Sequence, residues 1–247
     1  MTKQRPYCLS IAGFDPSGGA GIVADCKTFE QLKVHGLSVI TCNTIQTENQ
    51  FYSYNWMPLE MIIEQTIKLL DRYPIRYIKI GLMKDMEILS SILNLIHSRI
   101  ENPIVVWDPI LQPTHGGNEV DQDRFSEELT SVLDRISILT PNLPEYKRLF
   151  GDKDPNDVSN EYEKIIYLKG GHSEKKGKDM LYHEGKISPI NPKMKTDREK
   201  HGTGCIFSSA LTAHLSREFP LIKSCLRSKE YVEKRIISNP SLLAYHR

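Results

Sequence analysis

Short runs of apolar and β-branched residues alternate along the chain with longer segments in which apolar positions recur every three or four residues. The short runs are typical of buried strands, and the longer segments are typical of helices. The predicted strands cover residues 7–13, 37–43, 76–82, 103–111, 136–142 and 164–171. The predicted helices lie near residues 20–33, 59–70, 86–100, 125–133 and 144–150. Nearly continuous apolar strands between helices predict an α/β fold with a mostly parallel sheet covered on both faces.

Residues 178–190 interrupt this alternation, because strand-like residues lie on both sides of a turn at Glu184 and Gly185. We interpret them as a β-hairpin. Two further helices are predicted after it, at residues 203–215 and about 221–237. The sequence shows no internal repeat, low-complexity linker or domain boundary, so we expect one domain over residues 1–247.

Charge and composition narrow the possible functions. The 247 residues include 32 basic and 31 acidic side chains, which gives a net charge of +1, and 39% are hydrophobic. This balance provides no positive surface of the kind that binds nucleic acid or an anionic membrane. The basic cluster at residues 174–200 is diluted by acidic residues, so we interpret it as a solvated hairpin and loop. We therefore expect neither nucleic acid nor a membrane as a partner.

Apolar runs and cysteine usage indicate the compartment. No apolar run is long enough to span a membrane, and the amino terminus has too short an apolar core for a signal peptide. The five cysteines are an odd number, are widely spread and form no CxxC pair. This usage indicates reduced thiols and argues against structural zinc. We expect a cytoplasmic protein in which most cysteines are small buried apolar residues.

The first glycine-rich loop, at residues 13–21, lies between the first predicted strand and the first predicted helix. Ligands of parallel α/β sheets bind at such loops. The loop lacks the Lys-Ser/Thr pair of a P-loop, and it does not fit the GxGxxG pattern of dinucleotide-binding proteins. It is either a tight turn or a ligand-binding loop that carries Asp15, and both interpretations remain open at this stage.

The second glycine-rich loop is His-Gly-Thr-Gly-Cys at residues 201–205, called here the anion loop, directly before a predicted helix. Unpaired N–H groups at a helix start bind anions, and glycine lets the backbone approach them closely. Such an anion hole would hold a phosphoryl group during its transfer. The helix start is also expected to lower the pKa of Cys205, whose thiolate could take a proton from an attacking hydroxyl. The alternative is that Cys205 only packs beneath the helix.

Polar side chains lie at the ends of three later predicted strands: Asp108, Asn142 with Glu145, and Lys169. Carboxylate and amide oxygens suit the water-rich shell of Mg²⁺, and a lysine suits a phosphate. Each residue also has a purely structural alternative, since Asn142 and Glu145 fit a helix capping box and Lys169 could simply be exposed. Their common position at one edge of one sheet favours the functional interpretation.

Several motifs match one known family in the same order along the chain. They are SIAGFDPSGGAGIVADCKTF, KIGLM, VVWDPIL, LTPNLPE, LKGGH and HGTGC, from about residue 9 to about residue 213. The sequence therefore resembles the hydroxymethylpyrimidine/phosphomethylpyrimidine kinases of thiamine biosynthesis, which belong to the ribokinase-like superfamily. The resemblance implies a three-layer α/β/α fold. It also implies that ATP, with Mg²⁺, phosphorylates the hydroxymethyl group of the pyrimidine and then the resulting monophosphate.

The same resemblance implies roles for individual residues. Gly202, Thr203 and Gly204 would form the anion hole, and Cys205 would be the base. Lys169, Asn142 and Glu145 would bind the nucleotide, and Asp108 and Glu145 would hold Mg²⁺. The residues on the pyrimidine side would be Gly13, Asp15, Gly18, Gly19, Asp25, Gln46 and Leu82. The family habit further implies a homodimer.

The sequence departs from the family pattern at several places. Glu199 and Lys200 replace the usual Asn-Thr before the anion loop, and Phe14 replaces a small residue in the first glycine-rich loop. Phe14 could narrow the substrate pocket or point away from it. The segment between residues 145 and 169 and the end of the chain after residue 237 are shorter than in the family. We expect both shortenings to affect the nucleotide side.

Four alternatives remain at this stage. A pyridoxal/pyridoxine kinase of the same superfamily shares the glycine loops and the cysteine, although Gln46 offers the donor and acceptor that an aminopyrimidine needs. A ribokinase-like sugar kinase would have an aspartate in place of Cys205. A non-catalytic pyrimidine-binding protein would explain the shortened segments, but it has no need of a base or a metal shell, which argues against it given Cys205, Lys169, Asn142 and Glu145. A dehydrogenase would need the missing GxGxxG pattern.

Overall fold

The computed structural model describes residues 4–110, 129–170, 177–194 and 196–246. Its strands are β1 (Tyr7–Phe14), β2 (His35–Gln46), β3 (Phe51–Trp56), β4 (Tyr77–Ile80), β5 (Ile104–Trp107), β6 (Ile138–Leu139), β7 (Ile165–Leu168), β8 (Asp179–His183) and β9 (Lys186–Ile190). Its helices are α1 (Gly21–Gln31), α2 (Leu59–Arg72), α3 (Met86–Arg99), α4 (Leu129–Leu133), α5 (Leu143–Phe150), α6 (Pro155–Glu161), α7 (Thr203–Ser216) and α8 (Leu221–Ile236).

One sheet joins all of these strands in the order β3-β2-β1-β4-β5-β6-β7-β8-β9. In this order, the neighbours β2, β1, β4, β5, β6 and β7 all pair in parallel. Strand β3 pairs antiparallel with β2, and β8 and β9 form an antiparallel hairpin beside β7. Parallel neighbours need crossover connections, which the helices supply. The predicted parallel sheet and the predicted hairpin are confirmed.

Helices cover both faces of the sheet. Successive residues of a strand point to opposite faces. Ile78 and Ile80 of β4 therefore pack into an apolar core with residues of α2, α3 and α4, whereas Val106 of β5 packs with residues of α1, α7 and α8. The three-layer α/β/α architecture is confirmed. No helix in the described ranges is both long enough and apolar enough to cross a lipid bilayer.

Backbone hydrogen bonds extend the sheet by one residue beyond the ends of its central strands. The N–H of Asp108 donates to the carbonyl oxygen of Ile80 at 2.9 Å, and the N–H of Lys169 donates to that of Pro141 at 2.8 Å. These bonds fix the backbone at the points where polar side chains leave the sheet. The carboxyl edge of the parallel strands is therefore a rigid frame for a site.

The hydrophobic pattern does not predict β3 and α6. Strand β3 pairs only with β2 at the sheet edge, so it has no fully buried face and no clear alternation. Helix α6 has only seven residues, although Asp154 caps it and Pro155 begins it, which is a recognisable start signal. The predicted helix at 125–133 is present as α4 from residue 129. Positions 111, 125–128 and 171 of the predicted elements, and 174–176 and 195 of the basic cluster, lie outside the described residues.

Asp179 anchors the hairpin of β8 and β9 to the rest of the sheet. Its carboxylate accepts hydrogen bonds from the Tyr167 hydroxyl, from the N–H of Gly170 and from the Lys229 ammonium, each at 2.7 Å. The side chain of Asp179 is almost fully buried, with 6% exposed. These bonds connect the end of β7, where Lys169 leaves the sheet, to the hairpin and to α8.

We expect Asp179→Ala to lower the free energy of unfolding by about 3 kcal/mol, because it removes the carboxylate shared by three donors and leaves the nearly buried Lys229 ammonium with the neutral carbonyl oxygen of Gly177 in place of a charged partner. Tyr167→Phe is the matched control, since it keeps the ring and removes one hydrogen bond, and it should cost about 1 kcal/mol. Urea unfolding measures both values. Equal losses for the two variants would show that the Lys229 ion pair contributes nothing to the anchor.

Candidate active site

A cavity of about 510 Å³ lies at the carboxyl edge of the parallel strands. Its wall combines residues that follow the strands with the start of α7. All of the predicted site residues line this cavity except Gly18, Gly19 and Asp25. The two glycine-rich loops and the polar strand ends therefore meet in one place.

Gly202 precedes α7 with a left-handed backbone (φ 74°, ψ 18°). A Cβ at this position would also collide with the carbonyl oxygen of Gly19, so only glycine fits. No side chain of the described residues caps this helix, which leaves the first-turn N–H groups of Thr203, Gly204 and Cys205 for a ligand. Because these residues all lie in the cavity wall, the helix start can bind an anion.

Cys205 lies in the cavity wall with only 5% of the residue exposed. Burial raises the pKa of its thiol to about 11; the Lys79 ammonium opposes this rise, and the carboxylates of Asp25 and Asp108 add to it. The expected lowering of the pKa of Cys205 is therefore wrong. The reason is that the lost hydration of the thiolate outweighs both the helix start and the charge of Lys79.

Lys169 lies between two carboxylates of the cavity wall. Its Nζ is 2.7 Å from Asp108 Oδ1 and 3.5 Å from Glu145 Oε2. Burial alone would lower the pKa of Lys169, but the charges of Asp108 and Glu145 outweigh it and raise that pKa. Burial also raises the pKa of Glu145, against the effect of Lys169. The alternative of a simply exposed Lys169 is wrong.

Asn142 and Glu145 form a capping box at the start of α5. The Asn142 side chain accepts from the N–H of Glu145 at 2.8 Å, and Glu145 Oε2 accepts from the N–H of Asn142 at 2.7 Å. The structural interpretation of this pair is therefore confirmed. The same bonds hold the Glu145 carboxylate in the cavity wall beside Lys169, so capping does not remove it from the site.

Asp108 and Glu145 offer carboxylate oxygens to a divalent cation. Across the described parts of the chain, no three or more His, Cys, Asp or Glu side chains are grouped around a common point that could hold a metal. Mg²⁺ commonly binds through one or two carboxylates and completes its shell with water and substrate phosphates. This pair of residues fits that mode of binding, with phosphate oxygens as the remaining ligands.

Asp15 fastens the first glycine-rich loop to the anion loop. Its carboxylate accepts from the N–H and the hydroxyl of Ser17 at 2.8 and 2.9 Å and from the N–H of Ala20 at 2.8 Å, and it lies 2.9 Å from His201 Nε2. Burial alone would raise the pKa of Asp15, but these hydrogen bonds, led by that of His201, outweigh it and hold the pKa below its usual range. No role for His201 is predicted from the sequence. Its position directly before Gly202 of the anion loop was the feature that indicated one.

The pyrimidine side of the cavity is partly aromatic. Phe14 at the end of β1 and Phe51 at the start of β3 line it together with Gln46. Gln46 and Phe51 are register partners across β2 and β3, so the unpredicted strand brings an aromatic ring to the predicted amide. Leu82 packs against Gly13, where a Cβ would lie 3.1 Å from Leu82 Cδ2. Of the two expectations for Phe14, the structure supports the one in which it narrows the pocket.

Three predicted site residues lie outside the cavity wall. Asp25 is fully buried and pairs with Lys79, so it does not face the space where a pyrimidine would bind. The carbonyl oxygen of Gly18 accepts from Lys27 Nζ at 2.8 Å. A Cβ at Gly19 would lie 2.6 Å from the ring of His201. The two glycines therefore contribute to the shape of the first glycine-rich loop without lining the cavity.

Residues 238–246 pack against both glycine-rich loops. The carbonyl oxygen of Leu242 accepts from the N–H of His201 at 3.0 Å. The ammonium of Lys200 donates to the backbone and side-chain oxygens of Asn239, at 2.7 and 3.0 Å, and to the carbonyl oxygen of Ser241. Lys200 and residues 238–246 therefore meet beside the anion loop.

Comparisons with known proteins agree with this geometry. A family model described as phosphomethylpyrimidine kinase matches residues 15–247. A relative from Aquifex aeolicus, named hydroxymethylpyrimidine/phosphomethylpyrimidine kinase, is 30% identical over 246 residues, which covers 95% of this chain and 95% of the relative.

Solved structures of two related kinases share the fold. The phosphomethylpyrimidine kinase of Clostridium difficile 630 is 28% identical, with a TM-score of 0.78 over 93% of this chain and 99% of that chain. The pyridoxal kinase of Bacillus subtilis, solved as an ADP complex, is 26% identical, with a TM-score of 0.80 over 95% of this chain and 92% of that chain. Because the family model spans all but the first residues, the chain belongs to the phosphomethylpyrimidine kinase family.

Proposed function

We propose that this protein transfers a phosphoryl group from ATP to 4-amino-5-hydroxymethyl-2-methylpyrimidine, and then to its monophosphate, in thiamine biosynthesis. The observation that carries the proposal is the meeting, in one cavity, of an uncapped helix start, the Cys205 thiol and the cluster of Lys169, Asp108 and Glu145. The name of the Aquifex aeolicus relative and the family model support the substrate.

In the proposed reaction, Cys205 accepts the proton of the substrate hydroxyl while that oxygen forms a bond to the γ-phosphorus of ATP. The bond from the γ-phosphorus to the bridging oxygen breaks, and ADP leaves. Charge spreads over the equatorial oxygens of the transferred group in the transition state. The first-turn N–H groups of Thr203, Gly204 and Cys205 would stabilise that charge without having to reorganise.

The cluster around Lys169 would bind the phosphates of the nucleotide. Asp108 and Glu145 would hold Mg²⁺, which when bound neutralises charge on the phosphate oxygens. Lys169 already lies between the two carboxylates, so an entering phosphate and cation can exchange partners with it without leaving a buried charge uncompensated. The related Bacillus subtilis kinase was solved as an ADP complex, which supports an adenine nucleotide as the phosphoryl donor of this protein.

Gln46 would recognise the aminopyrimidine, because its amide offers one donor side and one acceptor to the ring. Phe14 and Phe51 would supply apolar surface beside the same ring. A second candidate is pyridoxal kinase activity, which the similarity to the Bacillus subtilis enzyme favours. We propose, in addition, that residues 1–247 form one kinase domain and that the protein acts in the cytoplasm as a homodimer.

An ADP-release assay tests the proposed substrate. It compares the hydroxymethylpyrimidine, its monophosphate and pyridoxine, each with ATP and Mg²⁺. We expect kcat/KM for both pyrimidines to exceed that for pyridoxine by about tenfold or more. Gln46→Met should lower the value for the pyrimidines by about tenfold and leave pyridoxine nearly unchanged, because Met keeps the length and loses the polar pair. Preference for pyridoxine would establish the second candidate instead.

Removing the thiol tests the role of Cys205. We expect Cys205→Ala to lower kcat by roughly 10²-fold or more with little change in pyrimidine affinity, which is the usual scale for loss of a general base. Cys26→Ala is the control, because Cys26 is a half-buried cysteine of α1 that does not line the cavity. If kcat survives in Cys205→Ala, the thiol is only a packing residue.

The raised pKa of Cys205 predicts a pH dependence. The thiolate is the active form, and with a pKa of about 11 its fraction rises with pH throughout the neutral range. We therefore expect kcat/KM of the enzyme to increase by about tenfold per pH unit between pH 7 and 9, with no plateau in that range. Cys205→Ala should lose this slope. A plateau below pH 8 in the unmodified enzyme would contradict the assignment of this thiol as the base.

A further inference from the structure

A fully buried ion pair lies directly behind the cavity. Lys79 Nζ is 2.8 Å from Asp25 Oδ2, and both side chains have 0% exposure. Lys79 occupies the middle of β4, between Ile78 and Ile80, so its side chain points to the opposite face of the sheet, toward α1 and α7. A Cβ on Gly81 would lie 2.9 Å from Lys79 Nζ, which places the ammonium beneath the end of the strand.

Hydrogen bonds tie this pair to the first turn of α7. Asp25 accepts from the Ser10 hydroxyl at 2.5 Å on the side of β1 and from the Ser209 hydroxyl on the side of α7. The Ser209 hydroxyl is also 2.6 Å from the carbonyl oxygen of Cys205, so its single proton lies between two acceptors. The backbone of Cys205 and the ion pair thus share one serine.

Burying two charges is costly, and apolar residues of similar volume often replace such a pair without loss of stability. Fold stability alone is therefore a weak reason for this pair to stand in an otherwise apolar strand. Its position indicates an electrostatic reason, because Asp25 and the carbonyl oxygen of Cys205 share the Ser209 hydroxyl and both charges of the pair act on the Cys205 thiol.

Charged groups from four elements act on this thiol. They are Lys79 of β4, Asp25 of α1, Asp108 after β5 and Lys169 after β7. Asp108 is engaged by Lys169 at 2.7 Å. Burial raises the pKa of the thiol most, Lys79 opposes that rise more strongly than Asp25 adds to it, and the N–H of Gly21 also lowers it.

We propose that Lys79 and Asp25 are a positioning pair for Cys205. Asp25 fixes the position of the Lys79 ammonium and, through Ser209, the position of the first turn of α7. The positive charge of Lys79 is thereby held near the Cys205 thiolate that accepts the substrate proton. Asp25 then acts through Cys205 and not by contact with the pyrimidine. The part of this inference that concerns turnover rests on the proposed function.

The double variant Lys79→Met/Asp25→Asn tests the pair, because it removes both charges and leaves neither one buried alone. Alkylation of Cys205 by iodoacetamide, followed by mass spectrometry of its peptide across pH, reports the ionisation of the thiol without any substrate. We expect the midpoint of alkylation to move to higher pH, because the loss of the Lys79 charge outweighs the loss of the Asp25 charge, and kcat to fall by about tenfold with KM within twofold. An unchanged midpoint in a folded double variant would overturn the proposal.

Ser209→Ala and Ser10→Ala form a matched comparison that carries little risk of unfolding. Each removes one hydroxyl from the same Asp25 carboxylate, but only Ser209 also contacts Cys205. We expect Ser209→Ala to shift the pH midpoint of alkylation and to lower kcat by several-fold. Ser10→Ala should leave the midpoint unchanged and kcat within twofold of the unmodified protein. Equal behaviour of the two variants would overturn the link through Ser209.

Alkylation and turnover separate the two proposals. A shifted midpoint in a protein that phosphorylates neither pyrimidine would support the positioning pair and contradict the proposed function. An unchanged alkylation midpoint in a protein that phosphorylates both pyrimidines would support the proposed function and contradict the positioning pair.

Discussion

Coverage of the parallel sheet on both faces is the constraint on which the arrangement of the site depends. A strand between two helical layers has no solvent-facing side, so apolar residues fill most of its length and most charged groups follow its end. Lys79 in β4 is an exception, and it is paired with Asp25. Asp108 and Lys169 directly follow the last residues of β5 and β7, and Asn142 lies three residues after the end of β6. The carboxyl edge thus collects polar groups that the body of the sheet cannot accommodate, and the start of α7 adds its unpaired N–H groups to them.

Compensation of charge is the second condition for this site. Lys169 is held by Asp108 and Glu145, and Asp15 is held by His201. In each case a group that burial would neutralise keeps its charge because a partner of opposite sign or a donor is within hydrogen-bond distance. The Cys205 thiol has no such close partner among these side chains, and its pKa rises accordingly. In the proposed reaction, such a thiol is weakly populated as thiolate at neutral pH but strongly basic once the thiolate forms.

The sequence predicts the order of the major elements and the edge at which function lies, because both follow from local hydrophobic periodicity and from polar residues at strand ends. It does not predict the environment of Asp25, because the partner that removes Asp25 from the cavity, Lys79, lies 54 residues further along the chain. The pKa of Cys205 was predicted in the wrong direction for the same reason: a helix start is visible in sequence, whereas the depth of burial is a tertiary property. Strand β3 and its Phe51 were not predicted, because this edge strand has no fully buried face and therefore no clear hydrophobic alternation.

Lys200 shows how a residue beside the anion loop depends on the segment that follows α8. A lysine next to the anion loop brings a bulky cation into a buried position, and burial lowers its pKa. The oxygens of Asn239 and Ser241 solvate that ammonium, so the chain end after α8 takes over the role of water. The neighbouring Leu242 carbonyl holds the backbone of His201, which precedes Gly202 directly. Residues 239–242 therefore hold the backbone that leads directly into Gly202, and they support the geometry of the anion loop from outside the cavity wall.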